Sequence, residues 1–299
     1  MGTFLGHISS GSMFIALSIF WIMKQSYHLV ATRNLTRQNS WLNIPFFRLI
    51  LNFPLEGAAI MIFTTGGFIG ENVHPHWKWK MFVNGKFVYT NVWIHCTIWT
   101  TFWIYGFVKV LTKNYMKDAI TWVPVFRTFT YFIQCTLFYF HLGAHHVITS
   151  ETGQSQNGTQ IHHGGRSLMN VKMHIMAVIA TFLSLMFSAG EIWLKKDKII
   201  PWLRIWASLL NGTWLVQIAF TLFPLKEINK WDEDNHQNAK FVVMLFGWHC
   251  MLTIITTFVL HMVFTIFIRT AFKSVSRLDI LAEKSKTLKT DGNISYDSD

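Results

Sequence analysis

A seven-helix, all-α, multi-pass membrane bundle is predicted by three observations: the composition, the blocks in which the apolar residues arrive, and the side on which the basic residues fall. Of 299 residues, 51% are hydrophobic, 16% aromatic and only 14% charged, too apolar for a water-soluble domain of this length. Seven stretches hold few or no charges. At ~1.5 Å rise per residue, each is long enough to cross a hydrocarbon core of roughly 30 Å. They lie near 8–28, 49–70, 91–112, 119–140, 171–193, 200–223 and 240–268. The expected organisation is a membrane domain over 1–270 and a polar cytosolic tail over 271–299, without order where "KSKTLKTDGNISYDSD" lacks aromatic bulk before Tyr296.

The first stretch has no basic residue ahead of it, while Lys24, Arg33 and Arg37 follow it. That order predicts a retained helix with a translocated N-terminus rather than a cleaved signal peptide. "MGTFLG" offers the glycine of a myristoylation site but places Gly6 where Ser or Thr is needed, so no lipid is expected. The second stretch carries Glu56, the third His95, the fourth Arg127 and the seventh His249. The sixth is interrupted by Arg204 and by Asn211-Gly212, which a lipid-embedded helix tolerates better than a soluble one.

Basic residues settle the expected orientation, because basic flanks stay cytosolic. Fourteen Lys and Arg, from Lys24 to Arg277, flank one face and eight the other. The N-terminus is therefore predicted outside or lumenal and the C-terminus in the cytosol. The same asymmetry explains the net charge of +11 without nucleic acid as a partner; the partner implied is the lipid bilayer. Of four Asn-x-Ser/Thr triplets, only Asn157 falls on the translocated side and clear of the membrane, and it is the predicted glycan site. Cys96, Cys135 and Cys250 all lie inside spans at unrelated spacings, which suits buried packing and neither a disulfide framework nor a zinc motif.

Under this topology twelve of the fourteen histidines fall in the outer half or outer loops, leaving His28 and His261 inside. His7, His95, His141, His174 and His249 sit within or at the mouths of helices and form a candidate polar binding cluster. Imidazoles on several helices are how a bundle builds a metal or haem site, and His95, His174 and His249 are the expected ligands. The plainer reading of the same residues is a hydrogen-bonded polar cluster that specifies helix packing. Glu56 and Arg127 lie at matched depth, where an unpaired charge costs roughly 2.5–3.5 kcal/mol on insertion scales, so they are expected to pair.

The stretches "MGTFLGHISSG", "LEGAAIMIFTTGGFIGE", "HHGGRSLMNVKMH", "LLNGTWLVQIAFTLFP", "WDEDNH" and "FGWHC" occur in the order and spacing of the transmembrane protein 45 family. The chain resembles its epididymal branch, the transmembrane epididymal proteins, over most of residues 1–265. The resemblance implies a seven-helix membrane protein of an animal, with recurring polar positions at His7, Glu56, Glu71, His95, Arg166, His174, Gln217, Asp232, His236 and His249. This chain departs from it at Gly164 and Asn170, where the family has His and Asp. The resemblance supplies no enzymatic activity. Binding or trafficking is the favoured function, and a histidine-based metal- or haem-binding redox protein or metal transporter is the alternative. A receptor lacks its Asp-Arg-Tyr and Asn-Pro-x-x-Tyr runs here, and a hydrolase lacks a nucleophile elbow or a His-Glu-x-x-His pattern.

Overall fold

A computed structural model describes residues 4–33, 54–73, 77–143, 167–226 and 230–293. Among these, seven α-helices fall on the seven apolar stretches: α1 (Phe4–Arg33), α2 (Leu55–Val73), α3 (Thr90–Asn114), α4 (Trp122–Gly143), α5 (Leu168–Trp193), α6 (Ile200–Leu222) and α7 (His236–Asn293). Four contain segments long and apolar enough by composition to cross a membrane: Phe4–Val30, Leu168–Trp193, Ile200–Leu222 and His236–Ala271. The all-α membrane class is thereby supported.

The chain divides into two compact units, each holding part of α1 and of α7. The larger comprises Met1–Ile19 with Pro54–Thr257. Within it α2 packs on α3, α3 on α4, α4 on α5 and α5 on α6. Two crossings bring backbones together through glycine pairs. A Cβ on Gly57 would lie 2.7 Å from the Gly106 carbonyl oxygen, and one on Gly11 would lie 2.7 Å from that of Gly212. Lipid tails are as apolar as leucine, so helices in a bilayer gain by close packing, which small residues permit. Along α7 the apolar residues Met244, Trp248, Met251, Leu252 and Ile255 are exposed, as a lipid-facing stripe should be.

Loop chemistry fixes the helix ends. Ser167 caps α5 by accepting from the Asn170 N–H, and the acidic segment before α7 docks there: Glu233 accepts from the Ser167 hydroxyl and from the Met169 N–H. Acidic groups suit the positive end of a helix dipole. Asp197 takes the Ile199 and Ile200 N–H groups at the start of α6, the Ile200 bond doing most to hold its carboxyl below the usual range. Asn84 and Gly85, both at positive φ, turn a two-strand hairpin of β1 (Phe82–Val83) and β2 (Lys86–Phe87). That Asn-Gly signal favours a tight hairpin turn and went unread in the sequence.

The smaller unit comprises Phe20–Phe53 and Phe258–Asp299. In it the Ser26 hydroxyl donates to the Ile22 carbonyl and sits 2.8 Å from His261 Nδ1. The expectation of a tail without order from about Lys284 is corrected, since α7 runs on to Asn293. The reason is local: no Gly or Pro separates Gly247 from Gly292, and Lys284, Lys286, Leu288 and Lys289 are all good helix formers.

The glycine contacts generate a prediction. Gly57→Val should drive its side chain into the Gly106 carbonyl and lower the melting temperature of detergent-purified protein by several degrees, whereas Gly66→Val, where nothing lies within 4 Å, should leave it within a degree or so. Equal shifts would show that the crossing does not depend on Gly57.

Candidate functional site

Polar side chains of the larger unit gather at two levels. At one, which we call the histidine end, a cavity receives His7 and Ser10 from α1, His95 from α3, Gln134 from α4 and His174 from α5. Its walls are largely aromatic, with Phe14, Trp99, Phe102 and Phe138. About 50 Å³ is open to the centre of a water molecule, room for several waters or a small organic molecule at ~10–15 Å³ per water.

The rings are anchored from behind. His95 Nδ1 is 2.9 Å from Glu71 Oε1, and His174 Nδ1 is 2.9 Å from the Asn170 carbonyl oxygen. A carboxylate and a carbonyl only accept, so both rings carry a proton on Nδ1, and in the neutral form Nε2 is each ring's acceptor. His7 lies edge-on to His174, centroids 5.8 Å apart. Gln134 is 1% exposed, and its Oε1 has no hydrogen-bond partner. A buried amide oxygen left so forfeits about 1–3 kcal/mol relative to a bonded one.

Below the cavity Phe14, Phe102 and Tyr131 close a floor, their centroids 5.2 Å (Phe14–Phe102), 6.0 Å (Phe102–Tyr131) and 6.2 Å (Phe14–Tyr131) apart. Tyr131 is fully buried and donates to Ser208 Oγ at 3.2 Å. Beyond it lies the charged end. Glu56 of α2 pairs with Lys109 of α3, which also reaches the Tyr105 hydroxyl. Glu191 of α5 is held between Arg127 of α4 and Arg204 of α6, the latter at 2.8 Å, and Arg127 Nε donates to Ser188 Oγ at 2.9 Å. Five charged side chains on five consecutive helices thus form two ion-paired groups, Glu56 with Lys109 and Glu191 with Arg127 and Arg204.

Two expectations are corrected by this geometry. Glu56 and Arg127 do not choose each other: each takes a partner on the helix packed beside its own, Lys109 on α3 and Glu191 on α5. Matched depth ranked that pair first because Lys109, Glu191 and Arg204 read in the sequence as flank residues or interruptions. His249 does not line the cavity. It lies edge-on to Trp214 with centroids 5.3 Å apart and Nδ1 3.4 Å from Thr213 Oγ1, which answers why an imidazole interrupts α7. His7 stands in the cavity instead, beside His95 and His174. No group of three or more His, Cys, Asp or Glu side chains among the described residues is arranged to hold a metal ion. The His141 side chain and Asn157 lie outside the described residues. Ser10 and Gln134 were missed, though each lies in an apolar helix one or two turns from a histidine, which is the signal that finds them.

Residues 158–262 match a family model described as a family of unknown function, DUF716. The chain is 20% identical to Transmembrane epididymal protein 1A of Mus musculus over 281 aligned positions, covering 84% of this chain and 77% of that one. This chain is similar to the transmembrane epididymal proteins. Transmembrane epididymal protein 1 of Rattus norvegicus is 19% identical over 259 positions with the same coverage, and that of Homo sapiens 22% identical over 170, covering 57% of this chain and 55% of its own. The resemblance read from the sequence therefore holds, and with it an integral, multi-pass membrane location. The DUF716 match includes His174, Glu191, Arg204 and His249.

The charged network yields a thermodynamic test. Removing one partner leaves an orphan charge in a low-dielectric bundle, so Lys109→Met should cost about 3–5 kcal/mol and the Glu56→Gln/Lys109→Met pair less. A thermal double-mutant cycle in detergent should show stronger coupling for Glu56 with Lys109 than for Glu56 with Arg127. The reverse ranking would restore the pairing drawn from depth.

Proposed function

We propose that this chain is a seven-span membrane protein, N-terminus outside or lumenal and tail cytosolic, that binds a small polar ligand in the histidine-lined cavity. What carries the binding reading is Gln134 Oε1, a buried acceptor with no partner, in a cavity where three helices each place an imidazole. Polar residues that served only to lock helices together would be satisfied by one another, as Tyr131 and Ser208 are. A large apolar lining with a few convergent polar groups is the usual make-up of a small-molecule site. The aromatic floor separates this site from the charged end, where two ion-paired groups tie neighbouring helices together. The topology rests on the basic asymmetry of the sequence, with α2, α3 and α4 as spans beside the four most apolar segments.

Two measurements test the reading. A C-terminal tag should be reached by antibody only after permeabilisation, and Asn157→Gln should remove a glycan mass shift; labelling of intact cells would reverse the topology. For the cavity, small polar solutes should be screened for a rise in melting temperature of the purified full chain. A ligand at 100 times its Kd stabilises by ~2.7 kcal/mol. At least one solute should stabilise the native protein and not Ser10→Leu, whose side chain fills the space. Equal shifts in both proteins, or none in either, would contradict a binding cavity.

A further inference from the structure

We infer that the cavity holds the polar head of an uncharged, single-chain amphiphile that enters sideways from the bilayer, its chain lying in a groove between α2 and α3. The inference rests on the reading of the cavity as a binding site and deepens it by naming the class of ligand and its route. Trp99 is the key residue, because it belongs to two linings. It helps to wall the histidine-lined cavity, and it also lines a second space bounded by Thr64, Thr65 and Phe68 of α2 and by Thr100 and Trp103 of α3. About 210 Å³ of that space is open to the centre of a water molecule. Thr65 and Thr100 are exposed and lie near the midpoints of their helices, which places the groove in the hydrocarbon if α2 and α3 span the bilayer as proposed. The indole is seated by close packing. It is 3% exposed, a Cβ on Gly67 would come within 2.5 Å of its ring, and the Phe63 centroid is 6.2 Å away. Displacing this one side chain joins the groove to the cavity.

The two spaces differ in chemistry as a head and a chain do. In the groove the hydroxyl protons are spent within the helices: Thr64 donates to the Ile60 carbonyl, Thr65 to that of Met61 and Thr100 to that of Cys96, each at 2.8 Å. The other groove residues, Phe68, Trp99 and Trp103, are aromatic, which suits a hydrocarbon chain. In the cavity the rings of His95 and His174 are already engaged with Glu71 and with the Asn170 carbonyl, so Ser10 and Gln134 are the groups that meet the head. A serine hydroxyl and a glutamine amide each donate and accept, and a hydroxyl head does both in return. Gln134 Oε1 is the acceptor that its proton satisfies. No carboxylate, lysine or arginine is among the residues lining the cavity, so a charged head would enter without a fixed counter-charge, which is strongly unfavourable in a low dielectric. With about 50 Å³ open, the cavity admits a head of a few heavy atoms, and a chain attached to it extends past Trp99.

Crossed photolabelling tests this, with the full chain in phosphatidylcholine nanodiscs. Two decanol probes are used, one with a diazirine beside the hydroxyl and one with it at the end of the chain. The first should label residues of the cavity and the second Phe68 or Trp103 of the groove. An excess of plain decanol should protect both, whereas decane, decanoate and decylammonium should not. Each blocking variant should act across Trp99. Ser10→Leu, which fills the place of the head and alters no groove residue, should lower groove labelling at least about fivefold, the worth of a lost hydrogen bond. Thr100→Trp, which fills the groove and alters no cavity residue, should lower cavity labelling to a similar extent. If one variant does not fold, the other decides. Cavity labelling without the crossed effects would leave a binding cavity in place and overturn the amphiphile, and groove labelling indifferent to Ser10→Leu would reduce the groove to ordinary lipid contact. Better protection by decanoate or decylammonium than by decanol would overturn the uncharged head. An unlabelled cavity in the native chain would remove the amphiphile and count against the cavity reading as well.

Discussion

A polar atom inside a lipid-facing helix bundle has no water to fall back on, so its partner must be another part of the protein. The arrangement of this bundle follows from that constraint. Glu191 is the clearest case: one carboxylate is shared by Arg127 and Arg204, so that α4, α5 and α6 are tied at the same level. Glu56 and Lys109 do the same for α2 and α3. Some serines and threonines of the helix interiors meet the constraint within their own helices, as when Thr64 donates to the Ile60 carbonyl and Ser184 to that of Ala180. Gln134 Oε1 is a buried acceptor without such a partner, and it belongs to a residue that lines the cavity.

The two polar levels need each other kept apart. Phe14, Phe102 and Tyr131 form an apolar layer between imidazoles at one end and fixed charges at the other. Only the tyrosine hydroxyl breaks that layer, and Ser208 satisfies it. Glycine at 57 with 106, and at 11 with 212, lets the helix backbones approach closely at both crossings.

The fold was legible in the sequence because apolar block length reports on helices that a bilayer will accept, and all seven helices appear where the blocks lie. The continuation of α7 was not, because polarity was read as lack of order although nothing in the segment breaks a helix. The site was legible by residue type more than by partner. Of the histidines read at helix mouths, His7, His95 and His174 line one cavity. Which imidazole would be excluded depended on the rotation of α7 against α6, and that is set by the packing of Trp214 against Phe246 and His249. One-dimensional spacing does not encode such a rotation. Charge partners failed for a related reason: depth ranks candidates along the membrane normal, while adjacency of helices chooses among them.

The account turns on where two protons sit. If Glu71 and the Asn170 carbonyl hold His95 and His174 as described, both rings carry their proton on Nδ1 and offer Nε2 as an acceptor in their neutral form. Imidazole nitrogen chemical shifts, measured by NMR on selectively labelled protein in lipid bilayers at a pH where the rings are neutral, report the tautomer directly. The account predicts that two histidine signals show a protonated Nδ1 with an unprotonated Nε2, and that His95→Asn and His174→Asn each remove one of them. Signals from those residues with the proton on Nε2 would contradict it, since neither ring could then donate to Glu71 or to the Asn170 carbonyl as the geometry requires.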